Sequence, residues 1–191
     1  MDNKLKIVNY LGKEFDKEPT MYELANILNI PYATFHRTIN GMNDLLIIKQ
    51  IGKSKILKLN LENSVIQSYL AISSDEEKKK FLIKQPILKI IQKELHTTDI
   101  VLLFGSYAKG KERKNSDIDL MIINKSGNRS ISFSKHELIF RKKINPLFFK
   151  KKEYKEMLKE KNENVGKQAL RNHIILNNPY DFWQLVINAI Q

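Results

Sequence analysis

Cysteine is absent from the 191-residue chain, so no disulfide framework and no thiolate zinc site can form. Its four histidines, His36, His96, His136 and His173, show no metal-ligand spacing, which leaves oxygen as the only donor for any metal. No apolar run approaches the roughly 20 residues that a membrane-spanning helix needs. The opening MDNKLKIVNY lacks the basic-then-apolar order of a signal peptide, so a cytoplasmic location and no membrane partner are expected. The length suits one ordinary domain or two small ones, and 42% hydrophobic residues are enough to build cores.

Negative charge is also scarce. With 21 Asp and Glu against 33 Lys and Arg, the formal charge is +12. That excess favours a polyanionic partner, nucleic acid or nucleotide, through the attraction of a basic surface for phosphate. The chain is rich in Lys, Asn and Ile together, a bias that AT-rich coding produces without any binding role. Charge alone therefore does not assign a function.

Residues 1–60 read as a small helical unit ended by a hairpin. Leu5, Ile7, Val8 and Leu11 place an apolar stripe on a first helix. Thr20 followed by MYELANIL gives a second, with Thr20 as N-cap and Glu23 completing a capping box. Asn29-Ile30-Pro31 breaks the pattern, and Pro31 suits the first turn of a third helix, YATFHRTINGM, stopping near Gly41. LLIIKQIGKSKILKLNL supplies two β-rich runs around Gly52-Lys53-Ser54, a hairpin with a basic tip.

This order, with ELANILNIPYATFHRTINGM at its centre, resembles a winged helix-turn-helix DNA-binding domain. The resemblance implies a third helix in the major groove of double-stranded DNA and a hairpin wing on the backbone. By position Tyr32, Thr34, Arg37 and Thr38 would face the groove, Ala33, Phe35 and Ile39 would pack inward, and Lys53 and Lys55 would meet phosphate. A homodimer is expected from the two-fold symmetry common among such proteins. Domains of this kind also serve as dimerisation or protein-docking units, and nine basic against six acidic side chains in residues 1–60 keep that alternative open.

LENSVIQSYLAISSDEEKKKFLIKQPILKIIQKEL reads as a helical connection, with Ser74 and Glu77 as a second capping box. Pro86 begins a separate helix carrying Ile87, Leu88, Ile90 and Ile91 on its buried side. The expected layout is a winged helix at 1–60, a helical linker at 61–84 and a second domain at 85–191. The KKK runs at 78–80 and 150–152 read as solvated faces.

The chemistry concentrates in GSYAKGKERKNSDIDLMII, residues 105–123, preceded by the buried-strand pattern IVLLF. Gly105-Ser106 turns the chain into a short helix, YAKG. Glycine permits close backbone approach to a ligand, and N–H groups at a helix start favour an anion such as a triphosphate. SDIDLMII then begins a second strand, whose two-residue period puts Asp117 and Asp119 on one face. Two adjacent carboxylates repel unless a cation compensates, and Mg²⁺, bound by oxygen, suits such a pair with substrate phosphates.

Gly-Ser, ten residues, then Asp-Ile-Asp resembles the nucleotidyltransferase signature of the DNA polymerase β superfamily, in particular its minimal and kanamycin-nucleotidyltransferase-like members. Gly105, Ser106, Ala108, Gly110, Ser116, Asp117, Asp119 and Leu120 carry the match, with INPLFFKKKEYKEML and HIILNNPYDFWQLV as a weaker tail over 85–191. The resemblance implies an α+β chain whose second domain is a mixed sheet flanked by helices. It further implies an NTP with its triphosphate at Gly105-Ser106 and Mg²⁺ on Asp117 and Asp119. A third carboxylate from a neighbouring strand would help to bind a second metal and take the acceptor's proton. The two metals would stabilise the attacking and leaving oxygens as pyrophosphate departs.

The pattern is incomplete here. After Asp119 the next Asp is Asp181, and the expected partner strand KINPLFF offers Asn145 where the third carboxylate would stand. Asn carries no charge and cannot act as a general base. Glu137 is the nearest acidic alternative, on SKHELIFRKK, a segment expected to be helical and to aim it elsewhere.

Two readings follow: a Mg²⁺-dependent enzyme moving an NMP from an NTP to a hydroxyl, with the winged helix on DNA, or a DNA-binding regulator with a degenerate, nucleotide-sensing domain. Minimal nucleotidyltransferases of this resemblance accompany small helical HEPN-type proteins, which adds an antitoxin-like version with such a toxin as partner. Phe148, Phe149 and Tyr154, interleaved with lysines, suit either base stacking or core packing, and packing is the expectation.

Overall fold

The computed structural model describes residues 1–191, and the chain divides into two compact units, Met1–Ser73 and Ser74–Gln191. The first unit begins with α1 (Asn3–Lys13), whose start is capped by the Asp2 carboxylate accepting the Leu5 N–H at 2.9 Å. Thr20 and Glu23 form the expected capping box at α2 (Met21–Ile27): each side chain accepts the other's backbone N–H, at 3.2 and 2.8 Å. These bonds to the ionised carboxylate hold the Glu23 carboxyl below the usual range.

Asn29, in the left-handed region at φ 51°, reverses the chain so that buried Ile30 and then Pro31 lead into α3 (Tyr32–Asn40). Phe35 and Ile39, one helical turn apart, are the residues α3 buries. Ala33 does not pack inward as expected but is exposed. It stands two residues from Phe35, about 200° round the helix, on the face away from the core. Strands β1 (Leu46–Ile51) and β2 (Ser54–Leu59) follow as an antiparallel hairpin, with Ile51 opposite Ser54 and Gly52 at φ +57° in the two-residue turn. Glycine in the first turn position meets the positive φ that a short hairpin loop requires.

The division between the units falls within one helix, α4 (Ile66–Ile83). Ser74 is therefore not the N-cap of a new helix, as its spacing to Glu77 suggested. It lies mid-helix at 1% exposure, and its hydroxyl accepts the indole N–H of fully buried Trp183 at 2.8 Å. Neighbouring Ser73 is satisfied by donating to the Leu70 carbonyl at 2.8 Å. With both hydroxyls partnered away from local N–H groups, nothing competes with helix continuation.

Pro86 opens α5 (Pro86–Lys93) as expected, with Leu88 and Ile91 buried. Ile90, expected on the same side, is 40% exposed. β3 (Ile100–Phe104) leads into α6 (Gly105–Ala108), then β4 (Ile118–Asn124), α7 (Ser134–Phe140) and β5 (Ile144–Lys150). The chain ends with α8 (Lys151–Lys159), α9 (Val165–Arg171), β6 (Ile174–Asn177) and α10 (Pro179–Ile190). The sheet order is β5-β4-β3-β6, with β4 and β5 parallel and the other pairings antiparallel, so the sheet is mixed and the architecture α+β.

Side-chain alternation gives the sheet two covered faces. Ile118, Leu120 and Ile122 of β4 join Leu88 and Ile91 of α5, Tyr107 of α6 and Phe133 on one side. Leu102, Met121 and Ile175 point the other way and are at most 1% exposed, beneath α8, α9 and α10, which pack on β3 and β4. Tyr154 is fully buried there, and burial raises its phenol above the ordinary range. Phe148 packs against the opposite core cluster, so core packing accounts for Phe148 and Tyr154 of the basic segment. No helix is long and apolar enough to cross a membrane.

Replacing Ser74 by alanine leaves the Trp183 N–H buried without its acceptor. A loss of about 1–3 kcal/mol in unfolding free energy is expected from urea denaturation, the cost of an unsatisfied buried donor.

Candidate functional site

The Gly105 turn and the Asp pair meet because β3 and β4 are antiparallel neighbours with Phe104 opposite Asp119. The end of β3 thereby delivers Gly105 against the start of β4. Gly105 has φ +71°, and a Cβ placed on it would stand 2.3 Å from Asp119 Oδ2. Glycine is thus required twice, for its left-handed backbone and for the space that the Asp119 carboxylate fills. The short helix starts at Gly105 itself rather than after Ser106, so Gly105 and half-buried Ser106 form its first turn.

The loop between α6 and β4 is closed by its own polar groups. Ser116 Oγ accepts the Arg113 N–H at 2.8 Å, and the Ser116 N–H donates to the Arg113 carbonyl at 2.9 Å. Lys142 donates to the Lys114 carbonyl and stands 5.8 Å from the centre of the Tyr107 ring, tying the loop to the segment before β5. The sequence signal for Lys142 was only one basic residue in an RKK run; its partners are far away in the chain.

Asp117 and Asp119 are both half-buried, and the parallel pairing sets Asn145 directly beside Asp119. The Asn145 amide nitrogen donates to Asp117 Oδ2 at 3.1 Å and to Asp119 Oδ1 at 3.3 Å. Lys143 adds a long, exposed ion pair to Asp117 Oδ2 at 3.8 Å. No group of three or more His, Cys, Asp or Glu side chains is placed to hold a metal ion.

Glu137 is held away from this cluster. Its carboxylate accepts the Ile144 N–H at 2.9 Å, and it lines a cavity with Phe133, Ile144, Pro146 and Phe148. Ile144, Pro146 and Phe148 alternate with Asn145, so Glu137 faces the opposite side of the sheet. Its bond also closes the outer edge of β5, where Ile144 has no neighbouring strand. Pro146 occupies the next outward-facing position and has no N–H to leave unpaired, the usual tolerance of an edge strand for proline.

The candidates on the first unit fall on two sides of α3. Tyr32, Lys53 and Lys55 line a groove of about 300 Å³ with Tyr22, His36 and Gln50, and the Tyr22 and Tyr32 rings lie 6.1 Å apart. Thr34, Arg37 and Thr38 line a second cavity, of about 380 Å³, with Asp2, Asn3 and Lys4. His36 could have been found from its spacing, one turn beyond Tyr32 on the exposed side. Tyr22 and Gln50 reach the groove only through the fold.

A family model described as polymerase beta, nucleotidyltransferase matches residues 85–180, just over half of the chain. Searches of curated proteins and of solved structures found no match. The matched span covers the mixed sheet through β6, the Gly105 turn, the Asp117–Asp119 pair and Asn145 beside it. By that match over a sheet that sets turn and carboxylates side by side, the chain belongs to the polymerase beta nucleotidyltransferase family.

Proposed function

We propose that the second unit binds a nucleoside triphosphate beside Gly105 and Ser106 and transfers its nucleoside monophosphate to a hydroxyl acceptor with Mg²⁺. The observation that carries this reading is the fit of the Gly105 backbone against the Asp119 carboxylate, which sets the turn and the Asp pair side by side. Asp117 and Asp119 are acceptor-only oxygen donors on one strand face, the donor type that Mg²⁺ shares with substrate phosphates. Bound between them and a triphosphate, the ion would offset charge at the phosphates.

The remaining steps belong to the chain. The turn positions the triphosphate, and Lys142 keeps the 109–116 loop folded beside it. The acceptor oxygen bonds to the α-phosphorus as the bond to the pyrophosphate oxygen breaks, and pyrophosphate leaves with that electron pair. The acceptor's proton finds no carboxylate at Asn145, so it passes to solvent or to a base that the acceptor brings.

The first unit fits a winged helix-turn-helix on double-stranded DNA: an exposed α3, with a hairpin carrying Lys53 and Lys55 at its tip. Asn145 favours a second reading, a DNA-bound regulator that holds nucleotide without transferring it.

Calorimetry with each NTP should show binding that requires Mg²⁺ and is lost in Asp117→Ala/Asp119→Ala; equal binding by the double variant would refute the site. Gly105→Ala should reduce nucleotide affinity at least tenfold, since the added methyl displaces Asp119; unchanged affinity would show that the turn is not at the phosphates. Removing both wing lysines, Lys53→Ala/Lys55→Ala, should weaken duplex binding on all sequences and flatten the log K against log salt slope by about 2. An unchanged slope in gel-shift titrations would rule the wing out of phosphate contact.

A further inference from the structure

Asn145 stands in register with Asp119 and within hydrogen-bond reach of both carboxylates, at 3.1 and 3.3 Å. Only its amide nitrogen can face them favourably. Turning the amide over would set its carbonyl oxygen against two carboxylate oxygens, with no proton to share among the three. The donating amide therefore occupies the β5-facing side of Asp117 Oδ2 and Asp119 Oδ1, where a further metal ion would need lone pairs.

Charge acts in the same direction. The cluster holds two carboxylates, a neutral amide and the Lys143 ammonium 3.8 Å from Asp117 Oδ2. Paired divalent ions in phosphoryl-transfer sites lie about 3.5–4 Å apart and repel strongly unless anionic ligands are shared between them. Glu137 cannot supply the missing anion, because its carboxylate is engaged with the Ile144 N–H beyond the edge of β5. The residues present fit one divalent ion and do not fit two.

We propose that Asn145 makes this a one-cation site, in which a nucleoside triphosphate is held with a single Mg²⁺ on Asp117 and Asp119 while the amide stays bonded to both. The inference rests on the nucleotide site proposed above. Its consequence is a long-lived nucleotide complex: the nucleotide is retained, and attack by a hydroxyl is slow because neither a second cation nor a base lies on the β5 side.

The test counts metal rather than turnover. The full chain is equilibrated with Mn²⁺ and the α,β-methylene analogue of each of the four NTPs, and bound Mn²⁺ and bound nucleotide are measured after rapid gel filtration and by Mn²⁺ paramagnetic resonance. Wild type should retain one Mn²⁺ per bound nucleotide. Asn145→Asp should retain two, with the spin–spin broadening of neighbouring ions, and Asn145→Ala, which removes the amide without adding charge, should remain at one.

Two Mn²⁺ per nucleotide on wild type would overturn the proposal while leaving the nucleotide site intact. A count of one in a folded Asn145→Asp, checked by circular dichroism, would overturn the role given to residue 145. Should wild type retain neither nucleotide nor Mn²⁺, the nucleotide site fails, and this inference with it. With the natural NTP and cell extract as the source of acceptor, Asn145→Asp should release pyrophosphate at least tenfold faster than wild type.

Discussion

Two carboxylates separated by one strand residue point the same way, so the start of β4 concentrates like charge. The parallel pairing of β4 with β5 relieves it by bringing an amide nitrogen to both oxygens, 3.1 Å from Asp117 and 3.3 Å from Asp119. Much of the second unit is arranged around that strand start. β3 ends opposite Asp119, and the Gly105 turn lies against its carboxylate. Lys142 holds the loop that leads into it, and buried Ile118 and Leu120 anchor it from the other face.

The same alternation that joins these groups keeps others apart. Glu137 and Asn145 both belong to the β5 region, but one closes the strand's outer edge and the other faces the Asp pair. A carboxylate eight residues away in sequence is thus unable to replace the missing one. The site pairs two carboxylates with an amide and has no third carboxylate beside them, so under the proposed function nucleotide binding and transfer would be separable.

Local chemistry was legible wherever one short stretch carried the whole instruction. Thr20 and Glu23 specify a helix start by their three-residue spacing, and Gly52 specifies the hairpin turn; both stand as read. The Asp-Ile-Asp alternation likewise required a shared face. Ser74 and Glu77 carried the same spacing as Thr20 and Glu23, yet Ser74 lies inside α4 because Trp183, 109 residues on, claims its hydroxyl. Ala33 misled for a simpler reason: small and apolar, it fits either side of α3, and the angular position of Phe35 and Ile39 decides which.

The sequence by itself determined the turn, the strand face of the two aspartates and the uncharged amide at position 145, since each is a matter of residue type and a spacing of a few positions. Only the tertiary structure decided that Asn145 reaches both carboxylates while Glu137 does not, and that Lys142 and Lys143 divide between loop and Asp117. Those outcomes depend on strand order and on the register of β4 against β5. Register is set by how two buried faces fill space across the whole sheet, a sum over distant side chains that no local pattern contains.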